Sequence, residues 1–346
     1  MKKIVKQVVG IDVAQKELVV CMGKMYDDWT PELISNKTFP NTQKGFTNLT
    51  AWVKKLSDVS IPVRYVMEAT GVYHESFAYY LDSESLEVSI VLPNKISNYA
   101  RTLSIKTITD KTASETIALF GLERKLDQWH RPNGVYKKLR QLTRERLQIV
   151  NERTVLKNQL HAEKTEAEPS KDSINRINKR IALLNKQENE IKQELNSLLK
   201  TDDTIRNNAM RICSIPGVGL LTAATVLGET NGFDLIRSKR QLTSYAGLDV
   251  REKTSGTSVK GKPRISKKGN RNLRRAMHLP ALAAIKSNTY YKSVFAKLVA
   301  KHGIKMKAAV AVQRKLLEMI YTIYKTGKVY EKNYLIESGV EDMRYQ

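Results

Sequence analysis

Hydrophobic and polar residues alternate in short runs through the first third of the chain. β-branched runs at residues 7–13 and 17–22 flank a short turn, which predicts a β-hairpin, and residues 33–39 predict a third strand. Further elements alternate after it: a helix at 45–56, a strand at 62–67, a helix at 73–81, a strand at 86–92, and helices to about residue 120. Three antiparallel strands followed by alternating helices and strands predict a mixed α/β sheet of the ribonuclease H type.

The apolar period changes in the middle of the chain. Heptad a and d positions are apolar, with Glu188 the single exception, at Ile174, Ile177, Ile181, Leu184, Ile191, Leu195 and Leu198. A looser stripe precedes them at Leu139, Leu142, Leu147, Val150, Leu156 and Leu160, and a polar segment containing Pro169 separates the two. The pattern predicts an antiparallel coiled-coil arm with dimerisation as a candidate role. The alternative is an ordinary helical pair packed on the core.

From Thr201 onward the chain is predicted to be mainly helical. Residues 214–219, Ser-Ile-Pro-Gly-Val-Gly, join two predicted helices and resemble a helix-hairpin-helix segment. The glycines Gly217 and Gly219 would let backbone amides approach a DNA phosphate at the start of the following helix. The alternative is a plain turn between helices.

Charge separates the two halves of the chain. Residues 1–120 hold 14 Lys and Arg against 13 Asp and Glu, whereas residues 121–346 carry +23 of the formal net charge of +24. Residues 251–280 hold ten basic residues and one acid. A near-neutral domain followed by a strongly basic remainder predicts separate catalytic and nucleic-acid-binding parts. The basic side chains proposed to contact nucleic acid are Lys260, Lys262, Arg264, Lys267, Lys268, Arg271, Arg274 and Arg275.

The sequence predicts a cytoplasmic protein without a membrane anchor. The basic and apolar start of the chain is interrupted by Asp12, well short of a signal-peptide core, and no run approaches about 18 apolar residues. Cys21 and Cys213 stand alone in apolar surroundings, which indicates reduced core residues rather than zinc ligands.

Two acids interrupt or end apolar strands of the first third. Asp12 lies in Val-Val-Gly-Ile-Asp-Val and Glu68 in Tyr-Val-Met-Glu-Ala, and Asp110 stands near a predicted helix start. Burying a carboxylate costs several kcal/mol unless it is paired or binds a metal. Oxygen ligands suit Mg²⁺, and two ions about 4 Å apart suit phosphodiester chemistry. The alternatives are a turn residue for Asp12, a cap for Glu68 and an N-cap for Asp110.

Ser255 lies in a basic segment, Lys-Thr-Ser-Gly-Thr-Ser-Val-Lys, from Lys253 to Lys260. A serine hydroxyl becomes a nucleophile only when a base or a positive field assists its deprotonation, and lysine and arginine would hold the phosphate. By this chemistry alone Ser255 is a turn residue more often than a nucleophile, and Ser258 is an equal candidate.

Together these segments resemble the DEDD-type transposases of insertion sequences (the insertion-sequence-110 family), relatives of the Piv-type DNA invertases. The resemblance rests on Gly-Ile-Asp-Val at Asp12, Met-Glu-Ala-Thr-Gly at Glu68 and Thr-Asp-Lys at Asp110. It continues through Ile-Pro-Gly-Val-Gly, Tyr-Ala-Gly-Leu, Ser-Gly at Ser255 and Arg-Ile-Ser-Lys-Lys-Gly-Asn-Arg-Asn-Leu-Arg. The blocks occur in the family's order over nearly the whole chain.

The resemblance implies a RuvC-like domain whose acids bind Mg²⁺ (two ions), with Asp12, Glu68 and Asp110 as ligands, and a catalytic serine at Ser255. This chain departs from the family's Asp-x-x-Asp pattern, because Ala113 stands three residues after Asp110. Glu115 is the nearest acid and a doubtful fourth ligand, with Ser114 or water as the alternative.

The expected organisation is a RuvC-like catalytic domain at 1–125, a coiled-coil arm at 126–202, a helical transposase domain at 203–330 and a tail at 331–346. The expected function is a recombinase that cuts and rejoins DNA strands, with double-stranded donor and target DNA, a structured guide (bridge) RNA and a homo-oligomer (dimer or tetramer) as partners. The alternatives are a RuvC-like nuclease without a covalent serine step, and a non-catalytic DNA-binding protein.

Overall fold

The computed structural model describes residues 2–69, 71–103, 107, 109–234, 236–252, 254–255, 259–261 and 264–331. At residues 254–255 and 259–260 the description is limited to the backbone. The chain divides into two compact units, Met1–Arg131 and Pro132–Gln346. The predicted helical domain and residues 132–202 of the predicted arm fall within the second unit, and residues 126–131 fall within the first.

The first unit is built on a mixed five-stranded sheet. Its strands are β1 (Ile4–Val13), β2 (Glu17–Tyr26), β3 (Pro31–Pro40), β4 (Val63–Glu68) and β5 (Glu87–Val91). They lie in the order β3-β2-β1-β4-β5. The first three strands are antiparallel, and β4 pairs in parallel with both β1 and β5. The predicted α/β organisation with a mixed sheet is confirmed.

Helices cover both faces of this sheet. They are α1 (Gln43–Leu56), α2 (Glu75–Ser83), α3 (Pro93–Ala100) and α4 (Asp110–Glu123). On one face Val9 and Ile11 of β1 pack with residues of α1 and α2, and on the other Val8 packs with residues of α3 and α4. Successive side chains of a strand point to opposite faces, so the nearly continuous apolar run of β1 serves two cores.

The second unit is mainly helical, as predicted. Its helices are α5 (Gly134–Thr165), α6 (Lys171–Leu199), α7 (Asp203–Cys213), α8 (Leu220–Thr230), α9 (Lys239–Tyr245), α10 (Arg271–Ala276), α11 (His278–Ser287), α12 (Thr289–His302) and α13 (Lys305–Thr326). Between α9 and α10 the described residues include four two-residue strands: β6 (Val250–Arg251), β7 (Thr254–Ser255), β8 (Val259–Lys260) and β9 (Arg264–Ile265). β6 pairs with β9 and β7 with β8, both antiparallel.

Helices α5 and α6 form a long antiparallel pair. Apolar residues of the α6 stripe are buried against α5, and Glu188, the exception in the heptad pattern, is buried among them. Its carboxylate accepts hydrogen bonds from Arg146 (2.8 Å to Nη2) and Arg153, and Lys192 lies 3.1 Å away. The seam therefore continues through Glu188 because basic side chains neutralise its charge. Coiled-coil supercoiling of this pair stays a prediction.

Neither cysteine forms a disulfide, and Cys21 is buried within the sheet. Burial, followed by the nearby charge of Glu115, raises the pKa of the Cys21 thiol to about 12, so this cysteine is protonated and unreactive at neutral pH. Within the described ranges, the helices include none that is long and apolar enough to cross a bilayer.

Candidate nuclease centre and serine arm

Asp12 and Glu68 end two neighbouring parallel strands. The register of β1 and β4 places Ile11 opposite Met67, and each acid follows directly in its strand. Because side chains alternate, Asp12 shares a face with Val8, and Glu68 shares a face with Val66. Val8 and Val66 belong to the core beneath α3 and α4. Both acids therefore lie on the sheet face that α4 covers.

Helix α4 brings the third acid to the same place. A Cβ added at Gly10 would lie 2.3 Å from the Ser114 carbonyl oxygen and 2.2 Å from the Ala118 nitrogen, so α4 packs directly on the β1 backbone. Asp110 is one helical turn before Ser114 and lies on the same side of α4. The glycine two residues before Asp12 thus allows the helix to approach closely enough to present Asp110.

The three acids interact electrostatically. Burial raises the pKa of Asp12, and the charges of Asp110 and then Glu68 raise it further, while a backbone hydrogen bond at Val13 acts in the opposite direction. Like charges raise a carboxyl pKa only when they lie near one another. The acids that the sequence placed in separate motifs therefore lie near enough for their charges to interact.

Local structure also bears on the alternatives for two of these acids. The turn after β1 is closed by the Ala14 amide, which donates to the Glu17 carbonyl at 2.9 Å, so this turn has a backbone closure independent of the Asp12 side chain. The N-cap of α4 is Thr109, whose hydroxyl accepts from the Thr112 amide in a capping box. Asp110 is the first helical residue, and its carboxylate is not the cap.

Glu115, the doubtful fourth ligand, points elsewhere. Its Oε1 accepts a hydrogen bond from Asn36 Nδ2 at 2.8 Å, and its charge acts on Cys21. Both partners lie on the outer antiparallel strands β2 and β3. The Ser114 hydroxyl donates to the Lys111 carbonyl at 2.8 Å. As they stand, no group of three or more His, Cys, Asp or Glu side chains among the described residues is arranged to hold a metal ion.

Ser255 lies between α9 and α10, in residues 249–266, which we call the serine arm; its described parts form two short antiparallel strand pairs, β6 with β9 and β7 with β8. Its base is closed by three backbone hydrogen bonds: Ser266 to Asp249 (2.8 Å), Lys267 to Gly247 (3.1 Å) and Asn270 to Tyr245 (2.6 Å). The Ser266 hydroxyl also donates to Asp249 Oδ1 at 2.5 Å. Ser255 lies in β7, opposite Val259 of β8.

The two segments of the chain that meet at this base, before and after the arm, approach each other closely. Gly269 has φ +144°, and a Cβ there would lie 2.4 Å from the Tyr245 carbonyl oxygen. A side chain would separate the two segments, because that distance is far below any van der Waals contact. The glycine in Lys-Lys-Gly-Asn is therefore a requirement of the arm's base.

The predicted nucleic-acid-binding residues have different environments. Exposed basic side chains near the arm are Arg264, Lys267, Lys268, Arg271 and Arg275. Arg274 is half-buried and donates to the Ala246 carbonyl at 2.8 Å, and Arg275 donates to Asn151. Lys262 lies outside the described residues. The side chains of Ser255 and Lys260 lie outside the description, as does Ser258 entirely.

The two glycines of the predicted hairpin also differ. Gly217, with φ +84°, faces α11, where an added Cβ would lie 2.5 Å from the Pro280 carbonyl oxygen. Gly219 is exposed at the start of α8, with nothing within 4 Å of an added Cβ. Gly217 thus has a packing role, whereas Gly219 leaves the helix start accessible. Helix-hairpin-helix geometry stays a prediction.

Two family models match the chain and cover both units. A model described as "Transposase", of the DEDD type of IS110, matches residues 9–165, and a model described as "Transposase IS116/IS110/IS902 family" matches residues 209–296. The chain belongs to the IS110 family of transposases. It is an enzyme of the transposase and site-specific DNA recombinase class.

Relatives of this transposase include invertases and insertion-sequence enzymes. The pilin gene-inverting protein of Moraxella bovis is 28% identical, over 94% of this chain and 98% of the relative. The transposase for insertion sequence element IS1111A of Coxiella burnetii is 31% identical, over 43% of this chain and 41% of the relative. Among solved structures, RuvC of Thermus thermophilus matches 36% of this chain and 99% of its own, with a TM-score of 0.28 and 11% identity.

Sequence reasoning missed one buried acid of the transposase. Glu229 is buried near the end of α8 and accepts hydrogen bonds from Arg144, Asn270 and Asn272. The signal that marked Asp12 was present here too, since Glu229 follows the apolar run Ala-Ala-Thr-Val-Leu-Gly. Glu229 was not singled out because it matched none of the motifs in which the other acids lie.

Proposed function

We propose that this transposase cuts and rejoins DNA strands with two centres, a Mg²⁺-binding carboxylate group at Asp12, Glu68 and Asp110 and a nucleophilic serine at Ser255. The convergence of three acids from β1, β4 and α4 on one sheet face is the observation that carries the proposal. Asp110 and Glu68 both raise the pKa of Asp12, which indicates an excess of negative charge that a divalent cation would neutralise.

The donor set fits Mg²⁺, which prefers carboxylate oxygens and keeps several waters. Two bound ions would supply activation of the attacking oxygen and stabilisation of the leaving oxygen. Asp12, Glu68 and Asp110 would hold them, and Glu115 would have to leave Asn36 to take part. Water is the better candidate for the remaining positions, because Ala113 offers no ligand.

In the serine step, the Ser255 oxygen attacks a DNA phosphorus and the bond from phosphorus to one bridging oxygen breaks. The serine proton is lost to solvent or a base, and the leaving oxygen of the DNA takes up a proton. The product is a phosphoserine ester. A hydroxyl of another DNA end then attacks the same phosphorus, which restores the serine and rejoins the strand.

Adduct trapping tests this step. Labelled element-end DNA is incubated with the transposase and Mg²⁺, then denatured, and the covalent protein–DNA product is measured. Ser255→Ala should abolish the adduct, and Ser258→Ala, a change of the same size in the same segment, should keep it. An adduct that survives Ser255→Ala refutes the serine assignment. Metal-dependent free ends without any adduct would instead identify a hydrolytic nuclease.

We infer further that the exposed basic residues at the serine arm hold DNA and a structured guide RNA. Arg264, Lys267, Lys268 and Arg271 would contact phosphates, which gives affinity with little sequence information. Each phosphate contact contributes about −0.9 to the slope of log K against log salt on duplex DNA. Replacing Lys267 and Lys268 by Gln should make that slope shallower by about two. Specificity for one RNA over an unrelated RNA of equal length tests the guide.

The proposed homo-oligomer would use the α5–α6 pair. Val155 and Leu183 are each 55% exposed and lie beside Glu152 and Arg180 on one groove of this pair. Opposite charges beside an apolar groove suit a second copy related by a two-fold axis, in which Glu152 of each copy meets Arg180 of the other. Light scattering on Leu183→Glu tests it: a smaller assembly is expected, and an unchanged mass refutes this interface.

A further inference from the structure

Glu229 is a buried acid of the second unit whose two carboxylate oxygens are both fully hydrogen-bonded. Its side chain is 1% exposed, and each carboxylate oxygen accepts two hydrogen bonds. Oε1 accepts from Arg144 Nε at 2.7 Å and Asn272 Nδ2 at 3.3 Å, and Oε2 accepts from Arg144 Nη2 at 2.8 Å and Asn270 Nδ2 at 2.7 Å. Such a forked arginine pair with both oxygens saturated fixes the orientation of every partner.

Glu229 is bonded on both sides of the serine arm, through its carboxylate to Asn270 and through its backbone carbonyl to Tyr245. Asn270 follows the arm and caps α10, since its Oδ1 accepts from the Leu273 amide. Tyr245 precedes the arm, and its hydroxyl donates to the Glu229 carbonyl at 2.9 Å. Tyr245 and Asn270 are the pair whose backbones close the arm's base at 2.6 Å. One residue, Glu229, therefore holds both chain segments from which the arm extends.

Arg144 joins this arrangement to α5. Its guanidinium bonds Glu229 through Nε and Nη2 while the side chain is 48% exposed. The arm's base is thus attached to α5, the longest helix of the unit, by a hydrogen-bonded pair in addition to the apolar core that Leu248 and Leu273 share with this helix. Hydrogen bonds of fixed direction define an orientation that interchangeable apolar contacts do not.

The charge of Glu229 is maintained in this setting. Burial by itself raises the pKa of this carboxyl, and the hydrogen bonds from Arg144 and Asn270 more than offset that effect, so the net shift is downward. Glu229 is therefore ionised at neutral pH, where a recombinase works. A buried ion pair is seldom the most stabilising choice for a site, which favours an orienting role over a purely stabilising one.

We propose that Glu229 is a positioning residue for the serine step, and that with Arg144 it fixes the base of the serine arm and so sets where Ser255 meets the DNA. This inference rests on the proposed nucleophilic role of Ser255. Glu229 does not itself contact the reacting atoms; it acts through Tyr245 and Asn270.

The decisive comparison is Glu229→Gln against Glu188→Gln. Both residues are buried acids of the same unit bonded to arginines, but Glu188 lies in the α5–α6 pair and contacts no residue of the arm's base. Glu229→Gln should lower the rate of adduct formation about 100-fold, as a misplacement of about 1 Å does, with DNA affinity within about threefold of the parent. Glu188→Gln should form adduct at nearly the parental rate per folded molecule.

Hydrogen exchange gives a readout that does not need the reaction. In the full chain, the Lys267 and Asn270 amides at the arm's base should exchange at least about tenfold faster in Glu229→Gln and at the parental rate in Glu188→Gln. Tyr245→Phe removes the hydroxyl's bond to the Glu229 carbonyl and a longer one, 3.4 Å, that it accepts from Asn270, and it leaves the Arg144–Glu229 pair in place, so it provides a milder test. It should lower adduct formation by a smaller factor in the same direction.

The outcomes separate the two proposals. Adduct formation that depends on Ser255 but is unaffected by both Glu229→Gln and Tyr245→Phe would overturn the positioning role and leave the serine assignment intact. If the parent forms no adduct, the serine assignment fails, and the positioning role fails with it. Equal losses in Glu229→Gln and Glu188→Gln, with unchanged exchange at the arm's base, would show that both acids act through stability alone.

Discussion

Buried or partly buried acids occur in both units of this transposase, and the charged side chains around them have opposite signs. In the first unit, Asp12 is surrounded by acids: burial, Asp110 and Glu68 all raise its pKa. In the second unit, burial also acts to raise the pKa of Glu188, but Arg153, Lys192 and Arg146 bring it down to about 2. One site accumulates negative charge and the other cancels it.

Under the proposed function, the contrast separates an acid that would bind a cation from an acid that stabilises a pair of helices. A fold gains no stability from grouped carboxylates, so their convergence needs another reason, and cation binding supplies one. A carboxylate that basic side chains fully neutralise leaves no charge for a metal. Burial alone would not have identified Asp12 as a candidate site residue, because Asp12 is more exposed than Glu188.

The largest effect expected from this contrast is on catalysis. Asp12→Asn keeps the size of the side chain and removes one charge of the metal-binding group, so DNA cleavage should fall at least about 1000-fold. Gel-based cleavage of labelled DNA in Mg²⁺ measures it. Glu115→Gln is the matched control, because Glu115 is bonded to Asn36, and it should stay within about threefold of the parent. Comparable losses in both variants would place Glu115 in the metal centre.

On stability the second unit should be the more sensitive. Glu188→Gln leaves Arg146 and Arg153 without their counter-charge in a largely buried seam, which should lower the free energy of unfolding by about 3 kcal/mol. Urea titration of the full chain, followed by helical circular dichroism, measures this loss. A change below about 0.5 kcal/mol would mean that solvent screens Arg146 and Arg153 well enough that losing the carboxylate hardly affects stability.

Mg²⁺ should stabilise one unit only. At a free concentration 100 times its dissociation constant, an ion that binds the folded state contributes about 2.7 kcal/mol. Exchange of β1 and β4 amides in the full chain should slow when Mg²⁺ is added to the parent, and should not change in Asp12→Asn. Slowing of equal size in both proteins would locate the bound ion elsewhere.

Low pH should destabilise the α5–α6 pair because it protonates Glu188. Its folded pKa, about 2, lies below the ordinary value of 4.5, so its contribution is complete above pH 4.5 and is lost as pH falls from 4.5 towards 2. The groups that face it are Arg146 and Arg153 of α5 and Lys192 of α6. Thermal unfolding between pH 6 and pH 3 should show a steeper loss in the parent than in Glu188→Gln.

The smallest effect has the opposite sign. Without metal, Asp12→Asn removes repulsion from Asp110 and Glu68, and it should stabilise the first unit by about 1 kcal/mol while abolishing cleavage. Slower exchange of β1 amides in Mg²⁺-free buffer would show it. Destabilisation by this substitution would mean that Asp12 is neutralised as Glu188 is, and the contrast between the units would collapse.

The sequence by itself determined the order of elements and the positions of the three N-terminal acids. β-branched runs with a period of two and apolar residues with a helical period specify local structure, and a carboxylate in an apolar strand is conspicuous because its burial is costly. The same reasoning identified the basic C-terminal half, because net charge does not depend on the fold.

Only the tertiary structure decided which of these residues share a site. Glu115 is five residues from Asp110, yet it faces Asn36, because positions five apart on a helix point in different directions. Arg274 was counted with the DNA-binding residues, but its guanidinium bonds the Ala246 carbonyl. Glu229 lies 85 residues from Arg144 and 41 from Asn270, and nothing local in the sequence relates them. Contacts between segments that are distant in sequence form only when the chain packs, so the partner of each buried acid depends on the tertiary structure.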